Sequence, residues 1–149
     1  MKTSRIFCAL VISNALALAG CSSPGDHQPM AQSTLYERLG GKPAITAVVD
    51  DFISNVAGDS RINARFASAN IPRLKGLLVE QICAGAGGPC TYEGRDMTTA
   101  HKGMGIRAEE FDALVGDLVR SLDKYKVPER EKNELLALLG PMQSEIVGH

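Results

Sequence analysis

The 149-residue sequence predicts an all-α domain, and three observations support this fold class. Apolar residues recur at spacings of three and four from residue 35 onward, which is the period of one helix face. Proline and glycine separate the segments that carry this pattern. No segment shows the sustained alternation of apolar and polar residues that is typical of a half-buried strand. We therefore expect four amphipathic helices joined by irregular connections.

The first two predicted helices each present one apolar face. Pro43 lies in the first turn of the first helix, where a proline is tolerated. The stripe that follows consists of Ile45, Val48, Val49, Phe52, Ile53 and Val56. The second helix carries Ile71, Leu74, Leu78 and Ile82 on one face. We expect it to end at the glycines Gly85, Gly87 and Gly88.

The third and fourth predicted helices follow the same rule. The third has acidic residues near its positive end and an apolar stripe of Phe111, Leu114, Val115, Leu118, Leu122 and Tyr125. The fourth opens at Pro128 and Glu129 and carries Leu135, Leu138, Leu139, Met142 and Ile146. Gly140-Pro141 should kink or break it. Four such helices, taken alone, fit any small helical bundle.

The N-terminus has the features of a targeting segment rather than of the folded domain. Lys2 and Arg5 precede a short apolar run, which is too short to span a membrane comfortably. The sequence Leu18-Ala19-Gly20-Cys21 resembles the lipobox of bacterial lipoproteins. This resemblance implies a signal peptide at 1–20, lipid on Cys21 and a membrane anchor without a spanning helix. An ordinary secretory leader is the alternative.

The position after Cys21 bears on localisation. Ser22, rather than an acidic residue, follows the cysteine, and in this class of lipoproteins that implies the outer membrane. We therefore expect a lipid-anchored protein of the bacterial cell envelope, on the periplasmic face of the outer membrane.

The rest of the chain is divided into a tether and one domain. Residues 21–33 are rich in Ser, Pro, Gly and Gln and are expected to form a flexible tether. Residues 34–149 form a domain of roughly 115 residues, which suffices for one core and not for two. Loss of Lys2 and Arg5 with the leader changes the formal charge from −1 to −3, so nothing in the charge indicates nucleic acid or an anionic substrate.

Two cysteines, Cys83 and Cys90, remain in the domain. In an oxidising compartment, a pair this close favours a disulfide over a metal site or a redox couple. The spacing fits neither a thioredoxin-like redox motif nor the attachment motif of c-type haem. A zinc site formed with His101 is a minor alternative that lacks an obvious fourth ligand.

One stretch of the domain makes the interpretation specific. The sequence from Tyr92 to Ile106, YEGRDMTTAHKGMGI, resembles the proximal loop and short helix of group I truncated haemoglobins. The LYERLGG at residues 35–41, Asp51-Phe52, the RLKG at 73–76 and the GGP at 87–89 match other family segments in order. The resemblance covers residues 35–146. It implies a globin-like fold, a truncated two-over-two helical sandwich around haem.

The resemblance implies that His101 is the proximal ligand of the haem iron in a non-covalent haem b protein. His27 lies in the tether and His149 is the last residue given, so His101 is the one histidine that a core could hold. A partly buried structural histidine is the alternative.

The resemblance also implies the other haem contacts. Phe52, Phe66 and Phe111 would pack on the porphyrin, and Met97 and Ile106 would flank its proximal side. Each of these residues could also simply belong to the core. Arg73 and Lys75 are candidate partners of the haem propionates, with a solvated helix face as the alternative.

The distal side departs from the family pattern. Ile53 stands where many group I members place a tyrosine, and Leu74 and Leu78 stand where glutamine or another hydrogen-bonding residue is common. Ile82 continues this apolar wall, and Gln81 is expected to project away from it. A pocket without hydrogen-bond donors predicts weak oxygen binding. Carbon monoxide binding should be little affected by the absence of these donors.

Three functions are compatible with this sequence. The first is reversible binding of O₂, NO or CO at the cell envelope, for scavenging, sensing or storage. The second is an enzyme that oxidises nitric oxide to nitrate, as several relatives do, and it needs a redox partner. The third is a haem-free helical scaffold lipoprotein.

Overall fold

The computed structural model of this protein describes residues 33–149. The predicted signal peptide, Cys21 and all but the last residue of the predicted tether lie outside the described residues. The described part of the chain is all-helical, with one isolated parallel bridge between Ile106 and Val147. None of its helices is long and apolar enough to cross a membrane.

Seven α-helices and two 3₁₀ turns follow one another in the described residues. They are α1 (Leu35–Arg38), α2 (Gly41–Gly58), a 3₁₀ turn (Asn63–Phe66), α3 (Ile71–Gly85), α4 (Met97–His101), α5 (Ala108–Lys124), α6 (Glu129–Leu139), a second 3₁₀ turn (Gly140–Met142) and α7 (Gln143–Ile146). The long helices α2, α3, α5 and α6 are the four that the apolar periodicity predicts. These four helices are the ones that the resemblance would place in a two-over-two sandwich.

The helix ends follow local chemistry. The side chain of Asn70 caps α3 by accepting the backbone N–H of Arg73 at 3.1 Å. Gly40 precedes α2 with φ of 93°, a left-handed conformation that favours glycine. The predicted break at Gly140-Pro141 is present, because α6 gives way there to the second 3₁₀ turn. The connections therefore fall where the sequence places its glycines and prolines.

The core is centred on α2, which packs against both α3 and α5. All six residues of its predicted stripe are buried, and Val49 is fully inaccessible. Leu122 of α5 and Leu135 of α6 are also almost fully buried. This central helix thus fixes the spacing of the helices around it.

A disulfide between Cys83 and Cys90 joins the end of α3 to the loop that follows it, with a Cα–Cα distance of 5.7 Å. Cys83 is fully buried. Gly88 lies inside the closed loop, and a Cβ atom there would stand 2.5 Å from the Tyr36 ring and 2.7 Å from Cys83 Sγ. Because the two cysteines are bonded to each other, they are not free to act as zinc ligands.

The C-terminal residues return to the loop that follows α4. The backbone N–H of Gly148 donates to the carbonyl of Ile106 at 2.9 Å, and that of Gly105 donates to the carbonyl of His149 at 2.8 Å. Helix α7 also contacts α4. These hydrogen bonds therefore hold the C-terminal residues beside the short helix that carries His101.

Candidate functional site

A cavity of about 250 Å³ lies among the helices and is lined almost entirely by apolar side chains. All four long helices contribute to its walls, together with the first 3₁₀ turn, α4 and residues 140–146. His101 and Gln81 are the polar side chains among the described residues that line it. An apolar cavity with a few converging polar groups is the usual form of a cofactor site.

Most of the predicted site residues meet in this cavity. Besides His101, the lining includes Phe52, Ile53, Phe66, Leu74, Leu78, Ile82, Met97 and Phe111. The sequence also placed Leu114, Leu118, Leu139 and Met142 on helix stripes without assigning them to the site, and they line it too. Leu77 does so as well, although it was not assigned to the predicted α3 face.

The imidazole of His101 is oriented by the backbone of its own helix. Its Nδ1 lies 2.8 Å from the carbonyl oxygen of Met97, four residues earlier. A carbonyl can only accept, so Nδ1 carries the proton and donates it. In the neutral imidazole, Nε2 then keeps a free lone pair, which is the state that a metal-binding imidazole requires.

Helix α4 presents this histidine from a very short element. Asp96 caps it by accepting the backbone N–H of Thr99 at 2.8 Å. This hydrogen bond lowers the pKa of the Asp96 carboxyl below its usual value, so the cap is ionised at neutral pH. The helix ends at His101, and Gly103 turns the chain with φ of 76°.

The structure corrects the expectation for Gln81, because its side chain lines the cavity. Gln81 is three residues after Leu78 and seven after Leu74, so it shares their helix face. Its Nε2 lies 3.2 Å from Met142 Sδ and 3.6 Å from Met97 Sδ. The pocket is therefore not entirely apolar.

Arg73, Lys75 and Ile106 are not among the residues that line the cavity. Arg73 is exposed in the first turn of α3, and Lys75 forms an ion pair with Asp50 at 2.7 Å. Lys75 borders a more open groove of about 590 Å³, which shares Ile53 and Phe66 with the cavity. The backbone of Ile106 pairs with the C-terminal residues instead. Propionate binding by Arg73 and Lys75 stays a prediction, and Ile106 is not a wall of this cavity.

The sequence reasoning missed Arg65, which bridges the two sides of the site. Its guanidinium forms two hydrogen bonds with the carboxylate of Glu110, at 3.0 and 2.9 Å, and donates to the carbonyl of Met104 at 2.8 Å. Glu110 is only 8% exposed, and the Arg65 guanidinium lowers the pKa of its carboxyl. Arg65 thus joins the turn that carries Phe66 to the loop after His101.

These features fit the requirements of haem. A flat apolar macrocycle needs apolar walls, which α2, α3 and α5 supply, and Nε2 of His101 would hold its iron. When bound, haem supplies an iron centre that binds small gases. The fold and the site together define a globin-type haem protein that binds gaseous ligands.

The chain belongs to the bacterial-like globin family, whose family model matches residues 34–147. It is 35% identical over 114 residues to a group 1 truncated haemoglobin of Mycolicibacterium paratuberculosis, covering 76% of this chain and 84% of that protein. It is 37% identical over 112 residues to a group 1 truncated haemoglobin of Synechocystis, covering 72% and 90%.

The fold agrees with that of a solved relative. The truncated haemoglobin of Tetrahymena pyriformis in its Fe(III) form superimposes with a TM-score of 0.76 at 30% identity, over 78% of this chain and 100% of that chain. The prediction of a truncated globin fold with haem as its cofactor is therefore confirmed. A haem-free scaffold, one of the three functions considered, is set aside.

Proposed function

We propose that this protein is a lipid-anchored truncated haemoglobin of the bacterial cell envelope that reversibly binds O₂, NO or CO, for oxygen scavenging or sensing. His101 binds the iron of haem b in this proposal. Lipid on Cys21 holds the domain at the periplasmic face of the outer membrane.

The observation that carries the gas-binding role is the state of His101 inside an apolar cavity. The hydrogen bond from Nδ1 to the Met97 carbonyl fixes the tautomer and leaves Nε2 free. The side chains of Ile53, Leu74 and Leu78 line the same cavity and limit the access of water. Exclusion of water protects a ferrous haem site from side reactions, so this lining favours reversible binding over turnover.

Replacing His101 by Ala tests the ligation. We expect the purified protein to show an intense Soret band that is lost in His101→Ala. His149→Ala is the matched control, because His149 is exposed and its Nε2 contacts only the Ser144 carbonyl, so this variant should keep the band. A Soret band that survives in His101→Ala would remove this residue from the proposal.

A kinetic measurement separates gas binding from catalysis. Nitrate formed from nitric oxide under oxygen, in the presence of a reductase, would make the protein an enzyme rather than a reversible binder. The proposal predicts that this rate is low, because the cavity offers few hydrogen-bond donors to a polarised ligand.

Two features support the envelope location. The residues before Cys21 resemble a lipobox, and the Cys83–Cys90 disulfide is of a kind that persists in oxidising compartments. We expect Cys21→Ser to lose incorporation of labelled palmitate and to leave the membrane fraction. Cys8→Ser, a change within the predicted signal peptide, is the control and should keep both. Label that remains in Cys21→Ser would contradict the anchor.

A further inference from the structure

Gln81 places a polar amide on an otherwise apolar wall. Burying an amide in apolar surroundings is unfavourable unless it finds hydrogen-bond partners. Leu78 and Ile82 are neighbours of Gln81 on the same face of α3, and both line the cavity with hydrocarbon side chains. Gln81 is half-buried, and its amide nitrogen is directed at partners that line the cavity.

The Nε2 atom of Gln81 contacts two thioether sulfurs. It lies 3.2 Å from Met142 Sδ and 3.6 Å from Met97 Sδ. An amide nitrogen has two hydrogens, so it can donate to both sulfurs at once, although sulfur is a weak acceptor. Gln81 thereby joins α3 to the first residue of α4 and to the turn that follows α6.

The contact with Met97 reaches the histidine in one further step. The Met97 carbonyl is the acceptor for Nδ1–H of His101, at 2.8 Å. Helix α4 has only five residues and none of them is fully buried, so its own packing holds it weakly. A contact that fixes Met97 from the opposite wall therefore also fixes the acceptor that orients the imidazole.

We propose that Gln81 is a positioning residue for His101, which acts by holding Met97 through its side-chain sulfur. The inference rests on the proposed ligation of haem iron by His101. The hydrogen-bond acceptor behind a metal-binding imidazole sets the orientation and basicity of that ligand. Gln81 accordingly sets the strength of the bond between iron and Nε2.

The test compares Gln81→Met with the parent, both loaded with haem. Methionine keeps the length of the side chain and removes the amide donors. Resonance Raman spectra of the ferrous protein, recorded just after photolysis of bound CO, report the iron–histidine stretching band. We expect Gln81→Met to shift or broaden this band and to speed solvent exchange of the His101 Nδ1 proton in the CO form, measured by NMR. Glu80→Met makes a similar change at the neighbouring residue of α3, whose side chain does not line the cavity, and should do neither.

Met97→Leu provides the second arm of the test. It removes the sulfur and keeps the backbone carbonyl, so it should move the iron–histidine band in the same direction as Gln81→Met. The double variant should show no larger shift than Gln81→Met alone, because both changes remove the contact between Gln81 and Met97. Shifts that add in the double variant, or an unchanged band in Gln81→Met, would overturn the inference.

The outcomes also separate this inference from the proposal on which it rests. If His101→Ala loses the Soret band and Gln81→Met leaves the iron–histidine band unchanged, only the proposed role of Gln81 is contradicted. If the Soret band survives in His101→Ala, the proposed binding of iron by His101 is contradicted, whatever Gln81→Met shows.

Discussion

Replacing Leu78 by Gln should raise the oxygen affinity of this protein. Leu78 lines the cavity from α3, and the amide of Gln81 on the same wall is already engaged with the sulfurs of Met142 and Met97. The natural cavity therefore offers few free donors to a bound gas. An amide side chain at position 78 adds one free hydrogen-bond donor inside this largely apolar cavity.

The size of the effect follows from the strength of such a bond. A hydrogen bond to a ligand that carries partial charge contributes about 1.5–3 kcal/mol. Since about 1.4 kcal/mol corresponds to a factor of ten, oxygen affinity should rise about tenfold to a hundredfold. Bound carbon monoxide carries little charge, so its affinity should change far less.

Stopped-flow measurement of oxygen dissociation and flash photolysis of carbon monoxide give the two affinities. Leu78→Met is the matched control, because it has similar length and no donor, and it should leave both unchanged. An oxygen affinity that does not rise in Leu78→Gln would show that residue 78 does not face the bound gas and would refute the reasoning.

Three further predictions concern stability and haem retention. Asp117 is fully buried, and burial raises the pKa of its carboxyl above the usual value even though Arg120 donates a hydrogen bond to it, so Asp117→Asn should stabilise the protein at pH 7. The stabilisation by Asp117→Asn should shrink as the pH falls from the raised pKa toward 3.8, the usual value for Asp, because the natural carboxyl then takes up its proton. Urea unfolding at several pH values measures this change. Reduction of the Cys83–Cys90 bond removes the constraint on a short loop and should lower the free energy of unfolding by about 2.5 kcal/mol, measured by unfolding with and without reductant. Arg65→Met should release haem faster to an excess of apomyoglobin, because the turn that carries Phe66 loses its tie to the loop after His101.

Each of these predictions has a control and a contradicting result. Parallel pH profiles for Asp117→Asn and the parent would show that burial does not perturb this carboxyl. The double variant Cys83→Ala/Cys90→Ala should be insensitive to reductant. Arg61→Met is the control for Arg65→Met, since Arg61 pairs with Asp59 two residues away, and equal haem loss in both variants would contradict the role of Arg65.

The fold could be predicted from the sequence because its signals are local. The stripe from Ile45 to Val56 has one period throughout, and the structure buries all of its members. Gly140-Pro141 breaks the last helix for reasons that lie in two adjacent residues. The same holds for His101, whose orienting acceptor is only four residues away.

The remaining features of the site depend on contacts between distant parts of the chain. Arg65 and Glu110 are 45 residues apart, so spacing along the sequence does not reveal their pairing. The return of Gly148 to Ile106 likewise follows from tertiary packing. The error over Gln81 was different, because a residue three positions after Leu78 shares its helix face and could have been assigned to the cavity from the sequence.

The bond that closes the loop behind α3 makes the final form of the cavity depend on the oxidation of two thiols. Newly made chains in a reducing cytosol keep Cys83 and Cys90 as separate thiols. Oxidation of the pair locks the end of the helix that supplies Leu78, Gln81 and Ile82 to the cavity. The pocket for the porphyrin therefore reaches its final form only where these two thiols can oxidise.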